Sequence, residues 1–239
     1  MTDIEYNLSV VKERIAAALK RAGRAGNEVT LLAVSKTKPV SDIEEAIRCG
    51  IREFGENKVQ ELTDKYEQIK EPVRWHLIGH LQRNKVKYII GKTALIHSVD
   101  SVRLAEQIEE EASKKNCICD VLIEVNAAGE ESKFGVAPEA LLSVVRDIAG
   151  LPHVHIRGLM TVAPFVEDPE ENRPYFKKMH DLLIDIKSKN IDNVTMETLS
   201  MGMSNDYEVA IEEGATIVRI GTSIFGERYY PNNNFSESQ

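Results

Sequence analysis

The chain has 239 residues, 42% hydrophobic and 28% charged, with a net charge of −8 and an isoelectric point near 5.4. That balance supplies enough apolar material for one large α/β core, and barrels of about 250 residues fold as one unit. No basic stripe is present to neutralise nucleic-acid phosphates, and no apolar run approaches the roughly 20 residues that a bilayer span needs.

The segment from Met1 to Lys20 carries Asp3, Glu5 and Glu13 and lacks the apolar centre of a signal peptide, so a cytoplasmic location is expected. Cys49, Cys117 and Cys119 cannot all pair within one chain and are expected as reduced packing residues. No linker or fixed-period repeat interrupts the pattern. A monomer with a single domain over residues 1–239 is expected, with an N-terminal helix over 1–23 and a frayed polar tail over 231–239.

Ile4, Leu8, Val11, Ile15 and Leu19 recur at helical spacing and predict an amphipathic helix that Gly23 and Gly26 end. An alternation of strands and helices follows. The predicted strands are Val29–Ser35, Arg52–Gly55, Trp75–Gly79, Ala94–Val99, Val121–Asn126, Val154–Met160, Thr195–Ser200 and Thr216–Gly221. Between them lie helical patterns at Ser41–Cys49, Lys58–Ile69, Gln82–Ile90, Val102–Lys115, Pro138–Ala149, Asn172–Lys189 and Asp206–Glu213. Strands joined by helices form parallel sheets. Eight of them predict a closed (β/α)8 barrel, with an open flavodoxin-like sheet as the competing arrangement.

In such a barrel ligands gather at the C-terminal ends of the strands, and phosphates favour the loops after strands seven and eight. Those loops read Ser200-Met201-Gly202-Met203-Ser204-Asn205-Asp206 and Gly221-Thr222-Ser223. Small hydroxyl residues with a glycine, ahead of a helix, leave backbone N–H groups open to an anion. Taken singly, each loop is also explained by Ser204 or Asn205 capping a helix and by Gly221 making a turn. Together, at both favoured positions, they predict a phosphate cup.

Lys36 closes the first strand. Alternation sets Leu32, Val34 and Lys36 on one face, so an interior Leu32 and Val34 turn Lys36 into the barrel mouth. An amine with its stem in an apolar wall has a lowered pKa and can attack an aldehyde. A lone lysine at a strand end is ordinarily a solvated charge, so the cup is what gives Lys36 weight. Lys38 shares its parity but lies beyond the strand, beside Pro39, and reads as a rim residue.

Arg219 shares parity with Ile217 and Gly221, which turns it inward, where a buried guanidinium needs an acceptor. Glu124 or Glu197 could serve, and so could the ring nitrogen or phosphate of a ligand. Asn57, His80 and Asn126 lie just after strands two, three and five. His76, His97, His153, His155 and His180 show no metal-ligand spacing, and no metal site is expected.

Seven ordered groups of segments carry a resemblance. They are Leu32-Ala33-Val34-Ser35-Lys36-Thr37-Lys38-Pro39, Phe54-Gly55-Glu56-Asn57, Trp75-His76-Leu77-Ile78-Gly79-His80-Leu81-Gln82, Val125-Asn126 with Lys133-Phe134-Gly135, Arg157-Gly158-Leu159-Met160-Thr161, Leu199-Ser200-Met201-Gly202-Met203-Ser204 with Asp206, and Arg219-Ile220-Gly221-Thr222. The sequence resembles the pyridoxal phosphate homeostasis protein family, single-barrel relatives of the N-terminal domain of alanine racemase. The resemblance implies a fold-type III barrel with pyridoxal 5′-phosphate (PLP) as a Schiff base on Lys36. It implies a phosphate on Ser200 with Gly221 and Thr222, Arg219 at the pyridine nitrogen, Asn57 beside the ring, and His80 and Met160 lining the pocket. Pyridoxal-dependent apoenzymes are the implied recipients.

The residues alone do not name the ligand, since a sugar-phosphate aldolase would show the same lysine, cup and arginine. A cation at the ring nitrogen keeps it unprotonated and weakens the ring as an electron sink. Alanine racemase adds a tyrosine base from a further domain, and nothing here resembles it before the chain stops, shortly after Tyr229-Tyr230-Pro231. The expectation is a PLP carrier or regulator without efficient turnover. A low-activity amino-acid racemase and a lysine-imine aldolase are the alternatives.

Overall fold

The computed structural model describes residues 1–24, 29–130 and 134–227. The expected helix stop at Gly26, the motif residue Lys133 and the tail over 231–239 lie outside the described residues. Helix α1 (Asp3–Arg21) buries Leu8, Val11, Ile15 and Leu19 along one stripe. Thr2 caps it by accepting from the Glu5 N–H; Asp3 and Glu5 in the first turn, with Lys20 and Arg21 in the last, suit its dipole.

There follow β1 (Thr30–Val34), α2 (Val40–Arg48), β2 (Glu53–Glu56), α3 (Val59–Gln68), β3 (Arg74–Leu77), α4 (Val86–Ile89), β4 (Leu95–Val99) and α5 (Val102–Lys114). The second half continues with β5 (Cys119–Glu124), α6 (Leu141–Ala149), β6 (Val154–Met160), α7 (Arg173–Ser188), β7 (Val194–Ser200), α8 (Tyr207–Glu212), β8 (Ile217–Ile220) and α9 (Thr222–Phe225). Neighbouring strands pair in chain order, and β8 returns parallel to β1, so the sheet is a closed barrel and not an open one.

The expected helix over Gln82–Ile90 is a 3₁₀ turn at Arg83–Lys85 followed by one α turn, because only Val86, Ile89 and Ile90 are there to anchor it. The helix expected from Pro138 also opens as a 3₁₀ turn and becomes α-helical only at Leu141. Four-residue α9 is too short to leave a periodic signal.

Two apolar shells result from the period of two. Leu32, Leu95, Leu122, Met160 and Ile217, with Ile78, fill the barrel interior. Ala33, Phe54, Trp75, Val218 and Ile220 face outward into the larger core beneath the helices. Each large aliphatic so buried contributes about 1.5–3 kcal/mol. Cys49, Cys117 and Cys119 are free thiols, and burial pushes the Cys119 thiol up to about 12, which makes it an inert packing group. Among the described residues no helix is long and apolar enough to cross a membrane.

Helix α1 packs on α8 and α9. Arg14 and Arg21 pair with Glu208 at 2.7 and 2.9 Å, Arg21 also reaches Glu212 at 2.6 Å, and Asn7 donates to the Ile224 carbonyl at 3.0 Å. These half-exposed ion pairs contribute at most about 1 kcal/mol each, so the buried stripe supplies most of the adhesion.

Candidate functional site

Lys36 is half-buried in the turn that follows β1. Its neighbours are clamped from the helix side of the sheet. Lys65 of α3 donates to the Ser35 carbonyl at 2.7 Å, to Glu56 at 2.8 Å and to Glu61 at 2.7 Å. The Ser35 hydroxyl donates to the same Glu56 oxygen at 2.6 Å, and the Thr37 N–H donates to Glu61 at 2.5 Å. Thr37 has φ 65, a strained value for a β-branched residue, and this bond to Glu61 helps to hold it there. Burial raises the Glu56 carboxyl above its usual range, while Lys65 and Ser35 pull it back. Lys38, expected at the rim, donates to the carbonyls of Phe225 and Glu227 at 2.7 and 3.0 Å and so ties the turn to α9.

The two expected loops flank this turn, because β8 pairs with β1. Gly221 lies against Val34, where a Cβ would stand 3.2 Å from the Val34 oxygen. Gly202 has φ 88, and its Cβ would come within 2.6 Å of the Ala210 Cβ, so the bend requires glycine. Asp206 supports the bend by accepting from the Met203 N–H at 2.7 Å and from Asn172 at 2.8 Å. Helix α8 has no side-chain cap, so Ser204 and Asn205 do not serve as one. Instead the Ser204 hydroxyl accepts from the N–H groups of Gly221 and Ser223 at 3.3 and 3.5 Å. Among the described residues the N–H groups of Ser204, Asn205 and Thr222 have no acceptor. Two loops joined through the Ser204 hydroxyl thus carry open donors, an arrangement suited to an anion.

Ser200 lies deeper. It ends β7 fully buried, its hydroxyl 2.9 Å from His97 Nδ1 and accepting from Arg219 Nη1 at 2.7 Å. Of the loop's two hydroxyls it is Ser204 that stands among the open donors. Arg219 is buried inside the barrel and also donates to the Thr161 carbonyl at 2.8 Å. Glu197 pairs with Arg157 at 3.4 Å instead, and among the described residues no carboxylate lies within ion-pairing distance of Arg219. Burial pushes the guanidinium down to about 10, with Glu124 and Asp206 pulling the other way, so it stays charged at neutral pH with N–H groups to spare.

The remaining candidates sit around this floor. Met160 is buried in the interior cluster. Asn57 follows β2, and its buried Oδ1 has no hydrogen-bond partner. Gly79 presses on that backbone, since a Cβ there would lie 2.4 Å from the Asn57 oxygen. Gly79→Ala must therefore push Asn57 aside, and ligand affinity measured by titration should fall about tenfold, or ~1.4 kcal/mol. His80 is exposed, stacks on Phe134 with ring centroids 3.9 Å apart, and lies 3.5 Å from Asp100. Asn126 bonds to Glu130 and Gly129 in a local turn and takes no part.

Burial lifts Glu124 to about 7, with Asp100 adding to the shift and Arg219 opposing it. Its pKa is raised on folding, so its contribution to stability is full below about 4.5 and is lost as pH rises through about 7. Glu124→Gln should leave stability at pH 5 nearly unchanged and raise it at pH 8 by about 1–3 kcal/mol, as read from urea melts. Equal melts at pH 8 would show that the carboxyl is not so burdened.

Sequence reading set aside His76 and His97 for want of metal-ligand spacing. The signal that could have found them is parity: His76 alternates with Ile78, and His97 with Leu95, both of the interior cluster. They lie 2.8 Å apart inside the barrel.

The alanine racemase N-terminal domain family model matches residues 6–229. A pyridoxal phosphate homeostasis protein of Aquifex aeolicus is 53% identical over 224 residues, 93% of this chain and 97% of that protein. One of Pseudomonas aeruginosa is 40% identical over 231 residues, 96% of this chain and 98% of that protein. The chain belongs to the pyridoxal phosphate homeostasis protein family. Among solved structures, PipY of Synechococcus elongatus with PLP bound matches at TM-score 0.79 and 33% identity, over 90% of this chain and 100% of that one. Alanine racemase of Clostridium difficile matches at TM-score 0.73 and 15% identity, over 97% of this chain and 58% of that one, a likeness of fold alone. The candidate residues of this homeostasis-family chain lie at or just beyond the C-terminal ends of its strands.

Proposed function

We propose that this chain holds PLP covalently on Lys36, without efficient turnover, as part of intracellular vitamin B6 homeostasis. The reading rests on one convergence: the lysine turn, two loops of open N–H groups and a charged buried arginine meet at one end of the barrel. The family and the PLP-bound PipY structure support the choice of ligand. The residues present suit it, since Asn57 has an orphaned amide oxygen and Arg219 has spare donors, needs that a small polar ring can meet.

In this reading Lys36 would hold the cofactor through its amine, the nucleophile that an aldehyde requires. Backbone N–H groups of Ser204, Asn205 and Thr222, with the Ser204 hydroxyl, seat the phosphate against Gly221. Arg219 faces the ring nitrogen, Asn57 lies beside the ring, Met160 forms the floor and His80 the rim. Ser200, expected on the phosphate, acts from below through Arg219. The cofactor supplies an electrophilic carbonyl and an electron-accepting ring. A cation at the ring nitrogen disfavours its protonation and blunts that capacity, which suits holding better than turnover.

Borohydride reduction followed by peptide mapping tests the reading. A pyridoxyl mass on the Lys36 peptide is expected, and a protein that takes up none would sink it. Exchange of the α-proton of alanine or serine in heavy water tests the racemase alternative, and no exchange above background is expected. Ser204→Ala should weaken PLP retention about tenfold, ~1.4 kcal/mol, through loss of one phosphate partner.

A further inference from the structure

We propose that Glu53, His76 and His97 form, through Ser200, a one-way hydrogen-bonded line across the barrel that holds Arg219 in place, which makes all three positioning residues. The line starts in a polar cavity of about 320 Å³ at the N-terminal end of the barrel, lined by Glu53 and His76 with Arg74, Asp120, Arg157 and Glu197. Glu53 lies 2.6 Å from His76 Nε2, and His76 Nδ1 lies 2.8 Å from His97 Nε2. His97 Nδ1 lies 2.9 Å from the Ser200 hydroxyl, which lies 2.7 Å from Arg219 Nη1. Strands β2, β3, β4, β7 and β8 each supply one member, and the four beyond Glu53 are at most 4% exposed.

Chemistry at the two ends sets the direction. A guanidinium can only donate, and an ionised carboxylate can only accept. With one proton per bond, His76 gives its Nε2–H to Glu53 and leaves Nδ1 to accept. His97 then donates from Nε2 and also leaves Nδ1 bare, so Ser200 donates its hydroxyl proton to His97 and accepts from Arg219. Every proton points from Arg219 toward Glu53. A charged His76 would reverse the middle links and oblige His97 to donate to Ser200, whose own proton would then lack this acceptor. Burial also keeps His97 neutral, holding it well below the usual histidine range, and the charge of Arg219 acts in the same sense. A carboxylate thus stabilises a guanidinium that it does not touch, through dipoles that polarise one another.

The inference that Arg219 is held for the ring nitrogen rests on the PLP reading; the proton order does not. Nitrogen-15 NMR of the histidine-labelled, ligand-free protein should show both His76 and His97 as neutral Nε2–H tautomers. A proton on His97 Nδ1 would overturn the proposal whether or not PLP binds. Glu53→Gln replaces an acceptor-only group with an amide that can also donate. It should shift the His97 ring-nitrogen resonances two links away while circular dichroism stays unchanged, and unaltered His97 resonances would also overturn it. In the PLP-loaded form the same variant should give the visible band a pH dependence that the parent lacks. Failure of that arm with the NMR arms intact would count against the PLP reading of Arg219 and leave the line standing.

Discussion

Lys36→Ala is expected to give a protein with no borohydride-trappable PLP and no Schiff-base absorption band, against full labelling of the parent. Among the described residues the two amines beside it, Lys38 and Lys65, are engaged elsewhere. Lys38 donates to two carbonyls at the end of α9, and Lys65 is buried among Glu56, Glu61 and the Ser35 carbonyl on the helix side of the sheet. The loops and Arg219 remain, so the variant should still take up PLP reversibly, with affinity lowered at least a hundredfold, ~2.7 kcal/mol. Absorbance, mass mapping and a binding titration check the three parts. A labelled Lys38 peptide in the variant would mean that the wrong amine has been assigned.

Lys65→Met should have the largest effect on stability. Lys65 is the cation in a buried group that includes Glu56, whose side chain is fully shielded, and Glu61. Removing one partner of such a pair costs about 3–5 kcal/mol, because the other charge is left buried and unmatched. Burial already raises the Glu56 carboxyl, so in the variant Glu56 should take up a proton as pH falls, and the loss read from urea melts should shrink toward pH 4. Glu56→Gln in the Lys65→Met background should recover part of the loss. The Ser35 carbonyl and Glu61 both depend on Lys65, so the variant should also form its PLP adduct more slowly. A variant as stable as the parent at pH 8 would refute the account.

Much of the barrel was legible because parity and periodicity are local properties. Leu32, Ile217 and Met160 face inward and Ala33, Val218 and Ile220 outward, as alternation requires. The stripe of α1 was equally plain. Short elements were less so: α9 spans one turn, too little for a period to show, and the single α turn of α4 read as a helix over the whole of Gln82–Ile90. The loops at the mouth could be named from their residue types, but which hydroxyl stands among the open donors depends on the fold. Ser200 and Ser204 are four residues apart, one engaged inside the barrel and the other held by the N–H groups of Gly221 and Ser223. The clamp behind Lys36 joins residues from β1, β2 and α3, and the line beneath Arg219 joins five strands, so neither has a local signature. Charged and imidazole groups in such places look like ordinary surface residues until the sheet closes.

The union of α1 with α8 and α9 also has a bearing on synthesis. Asn7 meets the Ile224 carbonyl, so the segments that carry them are partners across 217 positions. In the PLP reading Lys36 emerges long before Gly221 and Thr222, so the place where a phosphate would rest is completed only after both have been made. Until α8 and α9 join the barrel, the amine would lack the loops that favour a phosphate-bearing aldehyde over any other.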